Sequence, residues 1–273
     1  MSPRTNTAAA TSTWQLGDLT VNRVGFGAIR LTGTAPFDRG VPRDRKRSIG
    51  LLRRAVELGV NHIDTAAFYF SATRSANELI NRALAPYPQD LIITTKVWPG
   101  RDPSGAWWWA APAQLRGQVE ENLRQLGRDH LDVVNLRVPP SRRTGSIGEH
   151  FGALAELRDA GLIRHLGISN VTSEQLAEAL AIAPVVCVQN PYGIGALSED
   201  PGPRRSREMS GLCSAVMRGE LAADSTGVAS HVSLPPAWPS SRLDEGDLPT
   251  ELLVSGASKD HGHEVVQLAR VVR

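Results

Sequence analysis

Residues 44–70 read DRKRSIGLLRRAVELGVNHIDTAAFYF, and they hold one full unit of the pattern that decides the fold. After Asp44, the residues Ile49, Leu52 and Val56 recur at helical spacing on one face. Gly59 stands where a helix ends in a left-handed residue. The apolar run 60–64 follows at once and stops on a carboxylate, Asp64. A helix feeding a short apolar strand is half of a βαβ unit.

Outward from that unit, further apolar runs lie at 24–28, 91–96, 131–137, 164–169 and 185–189, which makes six strands. Helical stripes separate them. Leu115, Val119, Leu123 and Leu126 form one, ended by Gly127, and Phe151, Leu154 and Leu157 form another, ended by Gly161. Ser75 with Glu78, and Thr172 with Gln175, have capping-box spacing. Such alternation predicts a parallel sheet with helices outside it, and 273 residues suffice for a closed α/β barrel of about 250 residues. Ahead of the first strand, 13–16 and 19–21 flank Gly17-Asp18, which predicts a hairpin under the barrel floor.

Composition narrows the function classes. The net charge is only +2 and the basic residues are scattered, as in Arg43, Arg45, Lys46 and Arg47, so nucleic acid is not the expected partner. Two cysteines make no disulfide framework, and no apolar run approaches the ~18 residues of a membrane span. The expectation is a reduced, cytoplasmic protein with no membrane partner, headed by a flexible tail at 1–12. The histidines His261 and His263 have no further ligands at metal spacing, and no metal is expected. Oligomeric state is not legible.

A parallel barrel gathers the C-terminal ends of its strands on one face. Here those ends are Asp64, Lys96, Arg137, Ser169 with Asn170, and Gln189 with Asn190. Five consecutive apolar strands finishing on polar groups point to one site.

The ordered motifs Gly25-Phe26-Gly27, Asn61-His62-Ile63-Asp64-Thr65-Ala66 with Phe68-Tyr69, Thr95-Lys96, Gly167-Ile168-Ser169-Asn170 and Val188-Gln189-Asn190-Pro191-Tyr192 resemble those of aldo-keto reductases, over residues 14–196. The resemblance implies a (β/α)8 TIM barrel, and reduction of an aldehyde or ketone by hydride from NADPH. NADH stays open as the alternative carrier. It implies Tyr69 as proton donor with Lys96 beside it and Asp64 bound to the lysine. The chemistry suits the residue types: a free phenol titrates near pH 10, so a neighbouring ammonium must stabilise the phenolate. It further implies that Ser169, Asn170 and Gln189 hold the nicotinamide carboxamide, that Tyr192 stacks on its ring, and that Gly27 and Asp64 border the cofactor. Trp98 is expected in the substrate pocket, and Trp107, Trp108 and Trp109 either wall that pocket or pack elsewhere.

One position departs from the family. Where a Leu-His step is usual, this chain has Leu136-Arg137. Arginine keeps its proton, so it cannot relay one, but it can donate hydrogen bonds to a developing oxyanion.

The pattern ends near Ala196. Residues 197–273 are rich in Pro, Ser, Ala and Gly, and strands seven and eight are not visible. Residues 252–255 and 264–272 read as a short strand and a helix. The expected barrel (13–196) is therefore incomplete or irregular after the sixth strand. The abrupt break suggests a tail read in another frame. Two competing readings follow: a barrel that binds nucleotide or partner without turnover, and a non-functional frame-altered reductase.

Overall fold

The computed structural model describes residues 13–22, 24–33, 43–71, 74–192, 213–214, 251–260 and 263–272, and beyond Asn190 it describes backbone alone. The expected N-terminal tail and most of 197–250 lie outside the described residues.

The chain opens with an antiparallel hairpin of β1 (Thr13–Leu16) and β2 (Leu19–Asn22), turning at Gly17 with φ +65°. Leu16, Leu19 and Val21 pack against Ile92, Val133 and Cys187, which plugs the barrel floor with apolar side chains. At the turn, Arg164 and His165 bond the Asp18 carboxylate at 2.6 and 2.5 Å. Arg164 first, and His165 second, hold that carboxyl down to about 2.

The barrel proper begins with β3 (Val24–Gly27), followed by α1 (Arg45–Glu57) and β4 (His62–Asp64). The Asp44 side chain caps α1 by accepting from Arg47 N–H at 2.8 Å, and Leu52 seats the helix on the core. A two-stranded ribbon, β5 (Phe70–Ser71) and β6 (Arg74–Ser75), precedes α2 (Ala76–Leu84). Then come β7 (Ile92–Val97), a second hairpin of β8 (Pro99–Arg101) and β9 (Trp107–Trp109), and α3 (Leu115–Leu126). The series continues through β10 (Leu131–Arg137), α4 (Gly148–Asp159), β11 (Ile163–Ser169), α5 (Ser173–Ile182) and β12 (Cys187–Gln189). A further pair, β13 (Pro191–Tyr192) with β14 (Cys213–Ser214), is antiparallel.

Strands β3, β4, β7, β10, β11 and β12 pair in that order and are all parallel. These are the six expected strands. The ring then closes in a different way: β15 (Glu251–Asp260) and β16 (His263–Val272) form an antiparallel hairpin, with β16 parallel to β12 and β15 antiparallel to β3. One expectation is corrected by this: residues 264–272 are a strand, not a helix. The helix reading failed because Val265, Val266, Val271 and Val272 are β-branched, and a short apolar run does not distinguish the two periods. The fold is thus a TIM-type barrel, regular through its sixth strand and irregular after it.

Register places the site. Partners across a parallel ladder project to the same face. Lys96, Asn135, Gly167 and Cys187 form one inward row, and Arg137, Ser169 and Gln189 the row above it. Gly167 leaves the space that Asn135 fills, since a Cβ there would lie 2.0 Å from Asn135 Oδ1.

Candidate active site

Asp64 ends β4 and Lys96 lies one residue from the end of β7, both facing the barrel interior. Lys96 is 1% exposed, and an ammonium so buried needs an acceptor in each direction it points. Its Nζ donates to Asp64 Oδ1 at 2.5 Å, Asp64 Oδ2 at 2.6 Å and the Thr65 carbonyl at 3.1 Å. The same Nζ lies 5.0 Å from the centroid of the Tyr69 ring. Across the barrel, Gln189 Nε2 donates to Asp64 Oδ1 at 3.1 Å. Asp64, Tyr69, Lys96 and Gln189 are therefore one cluster, although 125 residues separate Asp64 from Gln189.

Behind the strands, a chain of buried amides and hydroxyls fixes this geometry. Thr65 Oγ1 donates to Asn77 Oδ1 at 2.7 Å, and Asn77 Nδ2 to Asn122 Oδ1 at 3.0 Å. Thr95 Oγ1 donates to the same Asn122 oxygen at 2.6 Å. The residues next to Asp64 and Lys96 are thus tied to α2 and α3. Sequence reading missed this network, though a polar residue on each buried helix stripe (Asn77, Asn122) was its signal.

Ser169 and Gln189 are buried, and the Ser169 hydroxyl and the Gln189 Oε1 have no hydrogen-bond partner among the described residues. Buried polar atoms are rarely left so. Beside them, Asn170 adopts φ +61° and its N–H donates to the Gln189 carbonyl at 3.1 Å. Gly27 is in register with Asp64 at the end of β3. Neutral, unsatisfied donors and acceptors at one rim fit the carboxamide of a nicotinamide ring. The side chain of Tyr192 lies outside the described residues.

Arg137 ends β10 in register with Ser169 and is partly exposed. Among the described residues no carboxylate pairs with its guanidinium, so a fixed positive charge faces the barrel mouth. Trp98 is buried, with φ +91° and its ring stacked 4.0 Å from His150. Gln118 holds that strained backbone, its Oε1 accepting from Trp98 N–H at 2.7 Å and its Nε2 donating to Trp98 O at 3.2 Å. Trp107, Trp108 and Trp109 are exposed on β9, and Trp107 reaches Phe68 at 5.7 Å.

Deeper in the barrel, His62 bonds Thr94 Oγ1 at 3.0 Å, and burial pushes its pKa down to about 4. Burial pushes the Cys187 thiol up to about 12. Among the described residues no three metal-ligating side chains cluster, and no helix is long and apolar enough to cross a membrane.

The aldo/keto reductase family model matches residues 23–215 of this barrel. The chain belongs to the aldo/keto reductase family. It is 46% identical over 196 residues to the pyridoxine 4-dehydrogenase of Escherichia coli, covering 70% of this chain and 67% of that protein. An uncharacterized oxidoreductase of Schizosaccharomyces pombe is 38% identical, with 68% of this chain and 59% of that one covered. Among solved structures, the glycerol dehydrogenase of Gluconobacter oxydans superposes with a TM-score of 0.57 at 29% identity, over 67% of this chain and 56% of that one. The chain thus spans little more than half to two-thirds of the relatives it matches.

Proposed function

We propose that the protein is an NADPH-dependent oxidoreductase that reduces an aldehyde or ketone to an alcohol, in the cytoplasm, with a small carbonyl compound as partner. The observation that carries this is the Lys96 ammonium, paired to Asp64 at 2.5 and 2.6 Å and 5.0 Å from the Tyr69 ring at the barrel mouth.

When bound, NADPH supplies the hydride for the carbonyl carbon. Ser169, Asn170 and Gln189 would hold the carboxamide, Gly27 and Asp64 would border the cofactor, and Tyr192 would supply the aromatic face that the family resemblance implies. Tyr69 donates its phenolic proton to the carbonyl oxygen. Lys96 stabilises the phenolate that remains, and Asp64 holds the Lys96 ammonium in place. Arg137 donates to the same oxygen as negative charge builds there. Trp98 borders the substrate pocket. The identity to a pyridoxine 4-dehydrogenase supports the pyridoxine–pyridoxal couple as the first substrate pair to try.

The test is turnover of NADPH, and of NADH beside it, with pyridoxal and 4-nitrobenzaldehyde. Tyr69→Phe should lower kcat by at least about a hundredfold, the usual worth of a general acid, while leaving NADPH affinity within about twofold. Unchanged turnover in Tyr69→Phe would remove the phenol from the mechanism. Binding without turnover in the wild-type chain would support a nucleotide-binding barrel instead.

A further inference from the structure

We propose that Arg101 is a positioning residue for Tyr69, and that it couples the exposed tryptophan hairpin to the proton donor; this rests on the reductase reading above. Arg101 ends β8, in a hairpin outside the barrel sheet and five residues after Lys96. Its Nη1 donates to the Phe70 carbonyl at 2.8 Å and, more weakly, to the Phe68 carbonyl at 3.5 Å. Those are the two carbonyls that flank Tyr69. Its Nε donates back to the Gly105 carbonyl at 3.2 Å, in the turn of its own hairpin. One planar fork therefore spans the hairpin turn and both sides of the proton donor's loop.

Ring contacts reinforce the span. The guanidinium carbon lies 4.6 Å from the Phe70 centroid and 5.6 Å from that of Trp107. Trp107 is 5.7 Å from Phe68, and Phe68 meets Tyr69 edge-on at 5.1 Å. The hairpin is stiff enough to act as a support: Asp102 Oδ1 accepts from the Ser104 and Ala106 N–H groups at 2.8 and 3.0 Å, and β8 pairs with β9 from Pro99↔Trp109 to Arg101↔Trp107. On the far side the Tyr69 carbonyl accepts from Ala76 N–H at 2.8 Å, which ties the loop to the start of α2.

The phenol of Tyr69 must meet a carbonyl oxygen within hydrogen-bond reach, and a displacement near 1 Å costs up to about a hundredfold in rate. Lys96 fixes charge below the ring but does not fix the backbone that carries it. Arg101 does, and lysine is a poor substitute because a single ammonium cannot reproduce a fork that bridges carbonyls while stacking between two rings. Trp107 then has a role that neither a pocket wall nor outer-helix packing supplies: its ring packs against the Arg101 guanidinium over the loop.

The test uses the full chain and two readouts. In Arg101→Met, amide hydrogen exchange in residues 66–71 should rise at least about tenfold while exchange in β7 is unchanged. With 4-nitrobenzaldehyde, kcat should fall about tenfold to a hundredfold at unaltered NADPH affinity, and the solvent deuterium isotope effect on kcat should grow as proton donation becomes limiting. Arg101→Lys should recover part of both. Trp107→Ala, at an exposed position, should show the same signs more weakly and serves if Arg101→Met does not fold. Unchanged exchange at 66–71, or a loss of kcat matched by an equal loss of NADPH affinity with no isotope effect, would overturn the proposal. A wild-type chain that reduces no carbonyl overturns the reductase reading instead, and the exchange result still decides the hold of Arg101 on the loop.

Discussion

Lys96 shows what a single buried charge demands of its neighbours. Removing Asp64 leaves that ammonium unpaired in a site only 1% exposed, and such losses cost about 3–5 kcal/mol. Asp64→Leu should therefore lower urea-unfolding stability by about that amount at pH 7, and adding Lys96→Met should restore most of it; an additive double variant would show that the pair is not coupled. His62 gives a pH signature. Burial holds it at about 4 while the unfolded side chain titrates near 6.5, so between those values the unfolded chain binds a proton that the native chain does not. Stability should fall as pH drops through that window, with about 2 kcal/mol lost between pH 7 and pH 5 on His62's account. His62→Gln should flatten that part of the slope in urea titrations, and an unchanged slope would assign it to other groups. Asp64, Lys96 and Gln189 were legible in the sequence because each ends an apolar run at a barrel mouth. His62 was in plain view two residues before Asp64, but only register shows that both face inward.

Elements differ in how plainly the sequence announces them. The Thr172–Gln175 capping box is present in full, Thr172 Oγ1 accepting from Gln175 N–H at 3.3 Å and Gln175 Oε1 from Thr172 N–H at 3.2 Å. Thr172→Ala should cost about 1 kcal/mol in thermal or urea unfolding, and no loss would mean that Gln175's bonds to the 142 and 145 carbonyls suffice alone. Helix α3 carries a less visible feature, Asn122 within an apolar stripe. Asn122→Leu strands the Thr95 hydroxyl and the Asn77 amide, a cost of about 2–4 kcal/mol from two unmade bonds, measurable by the same unfolding curves. The tryptophan hairpin escaped the sequence reading because β8 and β9 are short and pair only with each other, so no barrel period marks them. The run 264–272 was misassigned for the converse reason: its apolar residues fit either period, and only pairing with β15 and β12 decides.

At the scale of the molecule, the six βα units order the ring and the antiparallel hairpin β15–β16 completes it. The family match stops at residue 215, and the match to the Schizosaccharomyces pombe relative covers 59% of that protein. We propose that residues 197–273 are read in a frame other than that of the six βα units. Translating the other two frames downstream of the Ala196 codon should then yield apolar runs ending in Gly-Thr or Gly-Ser, and their absence would count against it. Whether the site works as a nicotinamide site in the chain as it stands is decided by titrating NADPH into the purified full chain and following tryptophan emission. The unsatisfied Ser169 hydroxyl and Gln189 carbonyl oxygen predict saturable quenching, weakened at least about tenfold in Gln189→Leu by loss of its bonds. Emission unchanged by NADPH, or quenching that Gln189→Leu leaves intact, would contradict it.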